Sequence, residues 1–204
     1  MRRSSILAPR RFAVVLLSIL LAGCSPRLDW REIRDDAAGW RATFPGKPVE
    51  VSRQLSMPDG LGPIRLTLRS TRVDDAMFAV GWADADSPAV REALEAAMLA
   101  NIAADAASTQ RKTVITFGQQ MMEVIASGRM RLTSDGPPTP ARLLMRSTIT
   151  AHSAVPDTSE NGKRPTRWRV IEIIAVGPTD QITDDDARQF VESLRISAET
   201  ITVR

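Results

Sequence analysis

From Asp29 onward, apolar and polar residues alternate with the period of two expected of half-buried strands. Trp30 to Arg34 and Trp40 to Phe44 flank the turn-rich stretch Asp35-Asp36-Ala37-Ala38-Gly39, which predicts a first hairpin. Val49 to Met57 reads as extended. Ile64, Leu66 and Leu68 alternate with Arg65, Thr67 and Arg69, so one face of that strand points inward and the other outward. Asp74-Asp75 turns the chain into a strand from Met77 to Trp82. Further strands are predicted over Val114 to Phe117, Met121 to Ser127 and Leu143 to Thr150, with Asp135-Gly136-Pro137-Pro138 as the loop before the last of these. Trp168 to Val176 is almost continuously apolar, the pattern of a central strand covered on both faces.

Two segments change to the helical period. Val90, Leu94, Met98 and Ile102 recur at every fourth residue, with Ala93 and Ala97 beside them and Arg91, Glu92, Glu95 and Asp105 on other faces. This predicts a helix from about Pro88 to Ala107, capped by Ser87 and carrying Pro88 at its first position. Such a stripe packs on a sheet; a membrane-surface helix would instead need basic residues on its polar face and aromatic anchors, both scarce here. A final helix is predicted to start at Thr183, with Asp184-Asp185-Asp186 suiting its N-terminus and Ala187, Phe190, Val191 and Leu194 forming its buried stripe. The order of elements predicts a single α+β domain over residues 29–204, an antiparallel β-sheet covered by helices. The loop from Ser153 to Thr166 is long for a connection between strands and is a candidate binding element.

The N-terminus has a different character. Arg2, Arg3, Arg10 and Arg11 precede an apolar run from Phe12 to Ala22 that is interrupted only by Ser18. The run is too short to span a hydrocarbon core needing about 20 residues, and the arrangement is that of a secretory signal over residues 1–23. It ends in Leu21-Ala22-Gly23-Cys24, which resembles the lipobox of bacterial lipoproteins. That resemblance implies cleavage before Cys24 and acylation of its thiol and its new amino group, with residues 24–28 as the tether. Such an anchor of about three chains holds firmly where one chain binds only marginally. Ser25, a residue other than aspartate, implies export to the outer membrane. A twin-arginine signal is the weaker reading, because neither arginine pair is followed by the expected polar-to-apolar pattern.

The signal also changes the meaning of the charge. The whole chain carries 27 basic and 24 acidic residues, net +3, but four of the arginines lie in the signal, leaving 23 against 24 and a net charge of −1. A nucleic-acid partner, which would need clustered cationic charge, is therefore not expected. With one histidine, one cysteine and no tyrosine, the composition is read as excluding zinc fingers, disulfide frameworks and Cys/His catalytic pairs. No P-loop, Gly-rich dinucleotide motif or Gly-x-Ser-x-Gly elbow is present.

The remaining chemistry is sparse, and no metal or other cofactor is expected. Three consecutive helical aspartates at 184–186 point about 100° apart, which suits capping better than metal binding. Asp35-Asp36 and Asp74-Asp75 read as turn residues. His152 is a candidate general base, but Ser153 beside it on a strand points to the opposite face. Met121 and Met122, with Met57, Met77, Met98, Met130 and Met145, are candidates for an adaptable apolar lining, core filling being the alternative. The sharpest version of that pocket has Met98, Ile102 and Met122 between the first helix and the sheet. Arginine outnumbers lysine 24 to 3, which fits anionic head-group recognition but also a compositional bias of the genome.

Trp40-Arg41-Ala42-Thr43-Phe44-Pro45-Gly46-Lys47-Pro48 resembles the F-P-G-x-P start of bacterial PsbP-like domains, and Phe190-Val191-Glu192-Ser193-Leu194-Arg195-Ile196 is similar to that family's final helix and closing strand. The resemblance covers residues 29 to 196 and implies an α-β-α sandwich without a photosynthetic role. The reading that follows is a non-enzymatic envelope lipoprotein, held to the membrane through acylated Cys24, whose domain is an interaction or scaffold module for an envelope protein. A carrier of a lipid or other apolar ligand is the first alternative, and a hydrolase using His152 the second.

Overall fold

A computed structural model describes residues 27–153 and 166–197. Ten strands, two α-helices and one 3₁₀ turn are present among them: β1 Arg31–Asp35, β2 Trp40–Phe44, β3 Val49–Ser56, β4 Pro63–Val73, β5 Ala76–Ala85, α1 Val90–Asn101, the 3₁₀ turn Ala106–Ser108, β6 Gln110–Thr116, β7 Gln119–Met130, β8 Thr139–Ser153, β9 Thr166–Pro178, α2 Asp184–Glu192 and β10 Arg195–Ile196. The protein is α+β and dominated by antiparallel sheet. Seven strands form one sheet in the order β3-β4-β5-β9-β8-β7-β6, and β1-β2-β10 form a second. No helix among the described residues is long and apolar enough to cross a membrane.

The apolar run in β9 becomes the middle strand of the large sheet, with all residues from Val170 to Pro178 buried. Its side chains alternate between two cores. Ile171, Ile173 and Ala175 join a cluster that contains Phe190 of α2 and Trp40 and Phe44 of β2. Val170 belongs to a cluster with Val90 and Leu94 of α1, and Ile174 and Val176 to one with Ile102 just beyond α1. The stripe expected on the first helix therefore bridges two clusters, as its burial requires. On the other side, Phe190 meets Phe44 edge-on at 5.1 Å and Phe78 of β5 at 5.4 Å, locking the small sheet to the large one.

Topology makes α1 a crossover. After β5 the chain passes to the far edge at β6 and then returns by hairpins through β7 and β8 to β9, which pairs with β5. The two-residue link Asp74-Asp75 closes β4 on β5, with Asp74 at φ 55°. Thr183 caps α2 as expected, its hydroxyl accepting from the Asp186 N–H at 3.0 Å.

The helix predicted from Pro88 to Ala107 is shorter at both ends. Its N-cap is Ala89, with no side-chain cap, and the Ser87 hydroxyl instead accepts from the Ala89 N–H in the preceding turn. At the other end Ala103 takes φ 41°, the Ile102 carbonyl accepts from the Arg129 N–H at 2.6 Å, and the Asp105 N–H donates to Ser127. Pairing with β7 thus stops an alanine-rich segment whose own propensity favours continuing. Gly128 makes this approach feasible: a Cβ there would lie 2.2 Å from the Ile102 carbonyl oxygen. Phe117, expected to end a strand, instead occupies with Gly118 a two-residue hairpin turn at φ 50° and 78°. Positive φ at both positions is the type I′ geometry that matches strand twist, at a steric cost for a side chain such as Phe.

Gly128→Ala is expected to lower stability by at least about 2 kcal/mol, because the opposing atoms are backbone and cannot move aside. Denaturant midpoints of wild type and variant measure it, and an unchanged midpoint would contradict the close approach.

Candidate functional site

Cys24, with Leu21, Ala22 and Gly23, lies outside the described residues, as does the greater part of the Ser153–Thr166 loop. His152 and Ser153 are at the end of β8, in register with Arg167 and Thr166 of β9. Asp184 and Asp186 are engaged in ion pairs, with Arg142 at 2.6 Å and Arg27 at 3.1 Å. Among the described residues no group of three or more His, Cys, Asp or Glu is placed to hold a metal ion.

The three residues of the candidate apolar pocket do come together. Ile102 is buried, and the half-buried Met98 and Met122 pack against the same cluster. Of the three, Met122 also lines an open groove of about 330 Å³, where its neighbours include Arg91, Thr113, Gln120 and Ser147. That groove is mixed in character rather than a closed apolar chamber.

Sequence reasoning did not single out two carboxylates inside the sheet. On the face that packs α2, Glu123 of β7 stands opposite Arg146 of β8. Its carboxylate meets the Arg146 guanidinium at 2.6 Å and Lys112 of β6 at 3.0 Å. Arg146 reaches on to Thr116 at 3.1 Å and to Glu192 of α2 at 3.3 Å. Burial pushes the Glu123 carboxyl up, but hydrogen bonds and charges from Lys112 and Arg146 outweigh it and hold the group below its ordinary value. This network ties three strands to α2, and its geometry is that of a structural ion pair with every charge answered.

The opposite face holds Glu172 of β9, which has no such answer. It lies between Gly81 of β5 and Ser147 of β8 in register. A Cβ at Gly81 would sit 3.1 Å from its carboxyl oxygen, so a larger residue there would require the Glu172 side chain to shift. One carboxyl oxygen is buried without a hydrogen-bond partner among the described residues, and burial pushes the group up to about 7. Arg91 of α1 comes near this region but donates to the Ser147 hydroxyl at 3.5 Å and to Glu95 at 3.4 Å, while Glu95 also holds Arg111 at 2.6 Å. The signal for Glu172 was visible in principle: it is the one acidic residue inside the apolar run Val170–Val176.

No protein-family model matches the chain, and no curated protein is significantly similar to it in sequence.

The two carboxylates give opposite pH dependences. Glu172 ionises more readily unfolded than folded, so its contribution is complete below its ordinary value of 4.5 and is lost as pH rises through about 7. That shift corresponds to about 3 kcal/mol. Glu172→Gln is expected to remove this loss, which unfolding curves between pH 5 and pH 8.5 would show; an unchanged slope would contradict the buried, unanswered carboxyl. Glu123 behaves inversely, stabilising above 4.5 and losing its contribution as pH falls. Arg146→Ala, which strands Glu123, is expected to cost about 3–5 kcal/mol at neutral pH, and less under acid conditions. A cost that is the same at pH 3 would contradict the pairing.

Proposed function

We propose that this chain is a lipid-anchored envelope lipoprotein whose PsbP-like domain, an antiparallel sheet with a helix against each face, serves in the periplasm as a non-enzymatic interaction module. The observation that carries the reading is Leu21-Ala22-Gly23-Cys24 at the end of a basic and apolar leader, with the only cysteine of the chain at the acceptor position. A thiol is the nucleophile that takes a diacylglyceryl group as a thioether. Ser25 after the cysteine directs the mature protein to the outer membrane.

Support for an interaction role comes from the open edges of the large sheet. Among the described residues β3 and β6 are its terminal strands, and each leaves one side of its backbone without a sheet neighbour there. Large apolar side chains are exposed on both: Val49 and Val51 on β3, and Ile115 at 79% on β6. Edge strands are ordinarily defended by charge, twist or cover, so exposed apolar residues there favour addition of a partner segment. The family resemblance at residues 40–48 and 190–196 points the same way, toward a scaffold without its own chemistry.

The test is intact mass spectrometry of the full chain, expressed with its own leader and isolated from membranes. Wild type is expected to carry three acyl chains on Cys24, and Cys24→Ser to lack them and leave the membrane fraction. Acyl mass on the Cys24→Ser protein would overturn the anchor. Native spectra of the same preparation address the role: a defined protein complex supports the interaction module, whereas a stoichiometric extra lipid beyond the anchor would replace it with the carrier.

A further inference from the structure

The small sheet places three arginines in one row. Arg34 of β1 is directly opposite Arg41 of β2, and Arg41 is directly opposite Arg195 of β10. Directly opposed residues share a face, so three guanidinium groups are projected side by side, an arrangement that is destabilising unless something answers the charge. The answers within the protein are partial. Arg34 pairs with Asp36, both well exposed. Arg195 donates through one nitrogen to the carbonyls of Glu192, Ser193 and Leu194 at the end of α2, and Glu32 contributes a nearby negative charge. Arg41 has no hydrogen bond or ion pair with any described residue.

These arginines line one groove of about 370 Å³ together with Trp40, Phe117, Ile196 and Ser197. Phe117 is 63% exposed, and the Arg195 guanidinium lies over its ring, which fixes that cation in place. Phe117 achieves this from the positive-φ turn where asparagine would be the easy residue. The indole N–H of Trp40, buried, has no acceptor among the described residues. Burial and the neighbouring Arg41 both depress the Arg195 pKa, so the charges sense one another.

We propose that the groove bounded by Arg34, Arg41, Arg195 and Phe117 is a binding site for a phosphate ester. The planar fork of arginine matches two phosphate oxygens at once, and a row of forks can share one dianion. The volume exceeds what a bare phosphate fills and leaves space for a small organic substituent, which the Phe117 ring would cover. The same phosphate chemistry is found on a phospholipid headgroup and on a free, water-soluble ester, and the experiment separates them. The proposal does not depend on the anchor or on the interaction role.

Full-length protein in uncharged detergent is titrated by calorimetry with glycerol phosphate, and in parallel with micelles doped with phosphatidylglycerol, using phosphatidylcholine as the control. Wild type is expected to bind one of the two saturably, and Arg41→Ala to weaken that binding by at least about tenfold. Arg41→Lys, which keeps the charge but loses the fork, is expected to recover only part of it. Binding of glycerol phosphate identifies a soluble ester, and binding of the doped micelles alone identifies a headgroup. Because Arg41 is exposed and its removal relieves repulsion, the unliganded Arg41→Ala protein should unfold at or above the wild-type temperature, which separates lost binding from lost structure. Absence of binding to both probes, or equal binding by Arg41→Ala, would overturn the proposal.

Discussion

A strand buried on both faces is the constraint from which this architecture follows. β9 has side chains that cannot be left in water on either side, so each face of the large sheet must be covered. The chain satisfies one face by carrying α1 across it on the way from β5 to β6, and the other by returning after β9 through α2 to the small sheet. Phe190 is the point at which the second cover closes, since its ring touches both Phe44 and Phe78. Removing either cover would expose half of β9, so neither sheet nor helix can be regarded as an accessory.

The same constraint gives the two buried glutamates their different characters. Glu123 faces the side where β6 and β8 supply cations, Lys112 and Arg146, and Glu192 of α2 answers the arginine in turn. Glu172 faces the side where α1 crosses, and Arg91 on that helix is already committed to Ser147 and Glu95. Two carboxylates shielded from solvent thus become an anion at neutral pH and a group poised to hold a proton near neutrality. Gly81 is the counterpart of this choice, because a side chain there would press on the Glu172 carboxyl and force it to shift.

Much of the fold was legible in short-range pattern. The continuous apolar run of β9, the Thr183 cap with its buried stripe and the period-two strands were all local signals, and the structure places them where the pattern implied. The end of α1 was not legible, because the residues that stop it, Ser127, Gly128 and Arg129, lie on a strand that is distant in sequence and act through backbone contacts. The turn at Phe117-Gly118 was hidden for a related reason: phenylalanine reads as a strand residue, and only the pairing of Thr116 with Gln119 reveals the turn. The arginine row was beyond pattern altogether. Arg34 and Arg41 become neighbours through one hairpin, but Arg195 joins them only after nearly the whole chain has folded back.

If Cys24 carries the proposed anchor, Arg27 governs how the domain would stand at a membrane. Its guanidinium binds Asp74 and Asp186 at 3.1 Å each and the Gln181 carbonyl at 3.1 Å, clamping the incoming chain to the end of the large sheet that carries the β4–β5 turn. With Cys24 acylated, only residues 25 and 26 are left as leash. By register, the hairpin bearing Phe117 is at the opposite end of that sheet, some ten residues of strand away, or about 30 Å. An anchored molecule would therefore stand upright with its arginine groove turned away from its own bilayer, facing the aqueous space and whatever phosphate-bearing molecules or surfaces lie across it.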